Sequence, residues 1–198
     1  DKVGIDFASG QARQRAVASL LPRGWTVADI GCGTGYLARG LLGLATKIIC
    51  VDRSQAMLDQ ARERVGRESA GDVQLEFRRG PLDQLPIADA EVDGLVAGMV
   101  LHHLSELAPA AAQLRRVLKP GGPAVVLELE PHGEDWMRES LGDRHLGLDA
   151  RDVTRALERA GFEQVASAPL DDRYTPRRPD GSRASLKLYL VRGFAPRA

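Results

Sequence analysis

Thiols, a charge excess and long apolar runs are all scarce in this chain, and each scarcity removes a class of protein. The two cysteines are Cys32, in a glycine-rich turn, and Cys50, in an apolar stretch. Neither belongs to a disulfide framework, so a reducing, cytoplasmic setting is expected. Basic and acidic residues balance at 27 each, whereas a dedicated nucleic-acid or membrane-surface binder carries a basic excess. No apolar run approaches the roughly 20 residues that cross a bilayer, and the opening DKVGIDFASGQ is not a signal peptide. No Cys/His spacing resembles a zinc site, so no metal is expected. What is present, 198 residues with 43% hydrophobic and 27% charged content, suits one buried core.

The stretch VADIGCGTGYLARGLL, residues 27 to 42, organises the rest. It reads as a buried strand, a turn containing Gly31, Gly33 and Gly35, and a helix whose unpaired N–H groups face the turn. Upstream, residues 10 to 21 carry a helical apolar stripe stopped by Pro22, which sets a helical segment 1–24 apart from a domain at 25–198. Downstream, KIICVDRS is a second strand ending in Asp52, and Ser54 caps a helix with Met57, Leu58, Ala61 and Val65 on one face. Further strands are expected at 73–79, 92–99 and 124–130, with a helix capped by Ser105 and ending at Lys119-Pro120-Gly121-Gly122. A helix at 149–162 precedes two last strands, 165–170 and 185–191, with no helix between them. The alternation predicts an α/β fold: a Rossmann-like, doubly wound, mostly parallel seven-stranded sheet with a C-terminal antiparallel hairpin strand.

The glycine turn narrows the ligand. A dinucleotide fingerprint wants glycine at the first, third and sixth positions of the turn; here these are Gly31, Gly33 and the bulky Tyr36. A nicotinamide oxidoreductase is therefore disfavoured. Asp52 follows Gly31 by about 20 residues, the spacing at which a carboxylate meets ribose hydroxyls in nucleotide-binding α/β folds.

Taken together, DIGCGTG, the strand-end Asp52, LPIADAEVDGLV, LHHL, RVLKPGG and LELE resemble a class I S-adenosylmethionine-dependent methyltransferase over about residues 25 to 193. The stretch LELEPHGEDWMRESLGDRHLGLDARDV, with SLKLYLVRG, is most similar to methyltransferase domains that follow a winged-helix arsenic-repressor-type regulator; quinone-biosynthesis methyltransferases are similar more loosely. The resemblance implies S-adenosyl-L-methionine as cofactor and a role for each matching position. Asp29 would face the methionine amino group, directly or through water, and Gly31, Cys32 and Gly33 would line the methionine and ribose. Asp52 would hold the ribose hydroxyls, Arg53 and Met57 would flank the adenine, and Leu82 would offer its backbone to the adenine edge. Ala97, Gly98 and Met99 would pass under the donor methyl. Many members carry an acid after the glycine aligned with Gly80, where this chain has Pro81; Asp83 either takes over that contact or merely caps the loop.

Methyl transfer from a sulfonium needs alignment and a dry cavity, and a base only where the acceptor loses a proton. His102 and His103, leaving the fourth strand, are the candidate catalytic residues; one would touch cofactor or acceptor while the other packs. His132, Trp136, Arg144 and His145, after the fifth strand, are candidates for an acceptor pocket or lid, the alternative being a surface loop with a packed Trp. Arg173, Arg177, Arg178 and Arg183 read as a solvated hairpin, the alternative being contact with an anionic acceptor. Arsenite is not expected as acceptor, because soft As(III) calls for several thiols. The expected function is methyl transfer to an O, N or C atom of a small molecule; the alternative is a sensor that binds S-adenosylmethionine with little turnover. No membrane partner is expected, nucleic acid would be met only through a segment preceding Asp1, and a homodimer is compatible with the sequence.

Overall fold

The computed structural model describes Pro22, residues 24–69 and residues 73–197. The helix expected over 10–21, and with it nearly all of the 1–24 segment, lies outside the described residues. Within them, strands β1 (Thr26–Ile30), β2 (Lys47–Asp52), β3 (Gln74–Arg79), β4 (Gly94–Gly98), β5 (Pro123–Leu129), β6 (Glu163–Tyr174) and β7 (Leu186–Phe194) form one sheet. The helices are α1 (Tyr36–Leu41), α2 (Gln55–Glu68), α3 (Leu107–Val117), α4 (Trp136–Ser140) and α5 (Ala150–Arg159), with a 3-10 turn at Leu101–His103. The strand order is β3-β2-β1-β4-β5-β7-β6. Neighbours from β3 through β5 pair in parallel, and β7 runs antiparallel between β5 and β6. The expected fold class is the observed one.

The order of the sheet follows from which residues are apolar. In β2, Ile48 and Cys50 meet the core under α1 and α2, while Ile49 and Val51 meet the opposite core under α3 and α5. A strand buried on both faces has to sit inside a sheet covered by helices on both sides. The Ser54 hydroxyl accepts from Met57 N–H and opens α2, which turns Leu58, Ala61 and Val65 inward. β6 is an edge strand, mostly exposed and irregular in register, and its Asp171, Asp172 and Arg173 keep that edge polar.

Three boundaries differ from expectation. Glu106, not Ser105, occupies the cap position of α3, and it makes no side-chain capping bond. Val92 stands outside β4 in an isolated bridge with Leu118, and Met99 leaves the strand at φ 52°. β6 extends well past 165–170, because an edge strand pairs through its backbone and needs no apolar alternation.

The order places β1 beside β4, so the chain departs to opposite sides of the sheet at this pair, and a crevice opens at the carboxyl ends of the strands. Packing of α5 under the sheet should be costly to disturb. Leu157→Ala removes a side chain only 1% exposed and should cost about 2–5 kcal/mol. Calorimetry should then show a melting temperature lower by roughly 5–15 °C.

Candidate functional site

Backbone geometry at the end of β1 shapes the site first. Gly31, Gly33 and Gly35 all take positive φ, at 66°, 51° and 84°, a region that costs glycine little and other residues much. Each glycine serves a different end. A Cβ at Gly31 would lie 2.3 Å from Val100, and one at Gly35 would lie 2.5 Å from Val65 of α2. Gly33 faces open space, with nothing within 4 Å of that position. Tyr36, where a dinucleotide fingerprint has its last glycine, is 76% exposed; close helix packing falls to Gly35 instead.

Two carboxylates hold this loop from below. Asp52, at the end of β2, accepts from Gly33 N–H at 2.9 Å on one oxygen and from Ser54 N–H at 2.8 Å on the other. Each oxygen keeps further lone-pair capacity toward the crevice. Asp29 lies on the same face of the sheet as Val27, is 1% exposed, and accepts from Ala38 N–H in the first turn of α1 at 2.9 Å. Burial raises its pKa to about 7, opposed by the Ala38 bond and reinforced by the charge of Asp52. Cys32 is also buried, its thiol pushed well above the usual range by its bond to Cys50 and then by burial.

The adenine-side candidates line up along the same edge. Arg53 is exposed just past β2, Met57 is half-buried in the first turn of α2, and Asp83 is exposed in the loop after β3. The Leu82 side chain belongs to the core, so only its backbone is available to a ligand. Ala97 is buried, and a Cβ at Gly98 would lie 2.5 Å from Leu37, which brings α1 hard against the end of β4. Met99 follows in the left-handed region, held by its N–H donating to Leu127 carbonyl at 2.8 Å.

A buried carboxylate that the sequence reading passed over governs the far side of the crevice. Glu128, fully buried in β5, accepts from Leu101 and His102 N–H at 3.1 and 3.2 Å on one oxygen. Its other oxygen takes Leu129 N–H at 2.9 Å and Nδ1 of His102 at 2.6 Å. His102 therefore carries its proton on Nδ1 and turns Nε2 toward Asp143, whose nearest oxygen is 3.6 Å away. Burial pulls the His102 pKa down, yet the bond and charge of Glu128, helped by Asp143, raise it above the ordinary value. Burial and the neighbouring His102 charge lower that of His103. An acid inside an apolar strand was the available signal for Glu128; Asp143, in a polar loop, offered none.

The segment after β5 crosses this region. The His132 N–H donates to Leu146 carbonyl, and the His145 N–H donates to His102 carbonyl. Trp136 Nε1–H donates to Glu134 at 2.6 Å, and Arg178 grips both Glu134 oxygens at 2.8 and 2.6 Å. Arg178 thus departs from the solvated hairpin expected of it: it pins the β6–β7 connection onto this segment. Met137, 1% exposed, fills the centre of the small apolar cluster that also includes Leu129, Leu186 and Leu188, with Trp136 packed against it. Arg144 and His145 are exposed. The structure thus brings Asp29, the glycine loop, Asp52, Met99, His102, His103 and the His132–Trp136 segment to one edge, leaves Arg144 exposed, and holds the exposed His145 ring against Leu104 carbonyl at 3.0 Å.

Comparison with known proteins identifies the family of the chain. The chain is 34% identical over 178 residues to "Arsenite methyltransferase" of Halobacterium salinarum, covering 85% of this chain and 45% of that protein. It is 34% identical over 106 residues to "2-phytyl-1,4-naphtoquinone methyltransferase" of Synechococcus elongatus, covering 52% and 45%. It spans about half the length of the curated relatives it matches. Among solved structures, Haemonchus contortus phosphoethanolamine N-methyltransferase 2, in complex with S-adenosyl-L-methionine, superposes with a TM-score of 0.70 at 15% identity, covering 94% of this chain and 53% of that one. At that identity the likeness speaks for the fold. The methyltransferase domain family matches residues 28–126, half of the sequence, and the chain belongs to that family.

Proposed function

We propose that this domain transfers a methyl group from S-adenosyl-L-methionine to an O, N or C atom of a small-molecule acceptor. The reading is carried by the cradle between β1 and β2: an open Gly33 facing the crevice, with Asp52 fastened to its N–H. The residues present fit the cofactor. The free lone pairs of Asp52 suit two ribose hydroxyls, and Gly31, Cys32 and Gly33 supply backbone at close range for the methionine portion. Asp29 sits beneath the loop as the counter-charge for the α-ammonium, with Arg53 and Met57 flanking the adenine. Leu82 backbone and the exposed Asp83 are the available partners for the adenine edge, since Pro81 has no N–H.

When bound, the cofactor supplies an electrophilic methyl on a sulfonium; the protein supplies position and dryness. Ala97, Gly98 and Met99 form the floor at the end of β4, where the strained φ of Met99 is held by the Leu127 carbonyl. Trp136, Met137 and the Arg178–Glu134 pair roof the acceptor side.

The acceptor is proposed to be an organic nucleophile. Both thiols of the chain lie buried under the glycine loop, away from the His102 side, which supports an acceptor other than arsenite. The finer kinship with domains joined to winged-helix regulators is also proposed, supported by the segment from Leu127 to Val153 and the SLKLYLVRG strand.

Calorimetric titration should show binding of S-adenosylmethionine and S-adenosylhomocysteine in preference to NAD; preference for NAD would sink the proposal. Release of S-adenosylhomocysteine with a panel of small acceptors separates turnover from sensing. Asp52→Ala should weaken S-adenosylmethionine by about 1.5–3 kcal/mol, the loss of charged hydrogen bonds, and an unchanged dissociation constant would refute the ribose assignment.

Asp29 makes a second prediction through pH. Its folded pKa of about 7 lies above the ordinary 3.8, so the folded protein holds a proton that the unfolded chain has lost between those values. Stability therefore falls as pH rises from about 4 to 7, by on the order of 4 kcal/mol in the absence of ligand. Asp29→Asn keeps an acceptor for Ala38 N–H and removes the charge. It should melt higher than the parent at about pH 8 and near it at about pH 5, while binding S-adenosylmethionine more weakly. Equal melting at both pH values would show that the carboxyl is not strained by burial.

A further inference from the structure

Beyond Met99 the structure gathers nitrogen and oxygen atoms, two of which meet no hydrogen-bond partner among the described residues. His102, His103 and Asp143 each offer one ring nitrogen or carboxylate oxygen, and these atoms all lie within 4.8 Å of one another. Asp143 is only 4% exposed. Its Oδ1 stands 3.6 Å from Nε2 of His102 and 3.8 Å from Nδ1 of His103, too far for hydrogen bonds. Among the described residues its buried Oδ2 meets no hydrogen-bond partner, and neither does Nε2 of His132, a residue that feels the charges of both Asp143 and His102. A buried carboxylate without donors is unfavourable unless a cation compensates it.

The surroundings select the kind of cation. Nδ1 of His102 is committed to Glu128, whose oxygens are anchored by three backbone N–H groups. A carboxylate holding the far nitrogen of an imidazole is the arrangement that orients histidine toward a metal and raises its basicity. Atoms about 2.1 Å from a tetrahedral Zn²⁺ are roughly 3.4 Å apart. The 3.6 and 3.8 Å distances to the Asp143 oxygen require closure by a few tenths of an ångström, and the two imidazole nitrogens, within 4.8 Å of each other, close the rest by ring rotation. Nδ1 of His103 would give up its 3.2 Å contact with Gly142 carbonyl to join. Two imidazoles and one carboxylate favour zinc or another first-row transition ion over magnesium or calcium.

We propose that His102, His103 and Asp143 form a binding site for a divalent transition-metal ion, typified by Zn²⁺, with its fourth position open toward the acceptor cavity. The ion site stands on its own geometry. That the open fourth position faces the acceptor rests on the methyl-transfer reading.

The test uses tag-free full chain, freed of metal by chelator and dialysis. Titration with Zn²⁺ should saturate at one ion per chain, and Co²⁺ in its place should give the intense visible absorption of a low-coordinate site. Asp143→Asn and His103→Asn should each weaken Zn²⁺ binding by more than about 10-fold, and Glu128→Gln, a positioning change, by roughly 10- to 100-fold. Thermal unfolding, measured on the same preparations, reports that each variant is folded, and S-adenosylmethionine binding is measured beside it. A parent protein that takes up no stoichiometric ion, or an Asp143→Asn variant that binds as tightly as the parent, overturns the site. S-adenosylmethionine binding without zinc binding overturns only the metal, and zinc binding without S-adenosylmethionine binding overturns only the methyl-transfer reading.

Discussion

Where β1, β2 and β4 run out at the carboxyl edge, the backbone N–H groups of the following loops lose their strand partners, and carboxylates carried by strands take them up. Asp29 receives Ala38 N–H, Asp52 receives Gly33 and Ser54 N–H, and Glu128 receives those of Leu101, His102 and Leu129. Buried N–H groups left unpaired would be costly, and a buried carboxylate is tolerable only when several donors meet it. Each bond therefore stabilises both partners and fixes the direction in which the chain leaves the sheet. The shape of the crevice is a consequence of these bonds.

Their chemistry differs with their partners. Asp52 is half-exposed, with one backbone N–H on each oxygen, whereas Asp29 is buried under the loop and burial raises its pKa. Glu128 is saturated by protein donors and acts only by holding His102. Carboxylates at three strand positions thus end in three environments: half-exposed at the loop, buried beneath it, and saturated by protein donors. On the far side, Arg178 and Glu134 tie the β6–β7 connection to the segment after β5, which joins the sheet's antiparallel end to the loop leaving its parallel part. Gly147, with φ 75° and no room for a Cβ beside Glu130 carbonyl, lets that segment lie against β5.

The parallel part of the fold was legible because its strands are buried on both faces and its helices carry apolar stripes and caps at ordinary spacing, as with Ile48 to Val51 and Ser54. The full length of β6 was not, since its residues are mostly exposed and its pairing is made by the backbone. Gly31, Gly33 and Asp52 could be read together because a strand–turn–helix fixes their relation within a short stretch. Arg178 could not, because its partner Glu134 is brought to it by the antiparallel pairing of β7 between β5 and β6.

By itself the sequence determined the alternation of strands and helices, the glycine loop, and the carboxylate that ends β2. Local chemistry sufficed for these: periodic burial, glycine's access to positive φ, and a spacing set by one strand–helix–strand passage. Tertiary structure decided which polar groups lose water and meet each other. Nothing in the polar GDRH stretch marks Asp143 for burial, and nothing in LHHL assigns His102 the Glu128 carboxylate and His103 the Gly142 carbonyl. Those outcomes depend on the placement of β4 beside β5 and on the loop folded over their ends, where desolvation makes every unpaired oxygen and nitrogen count.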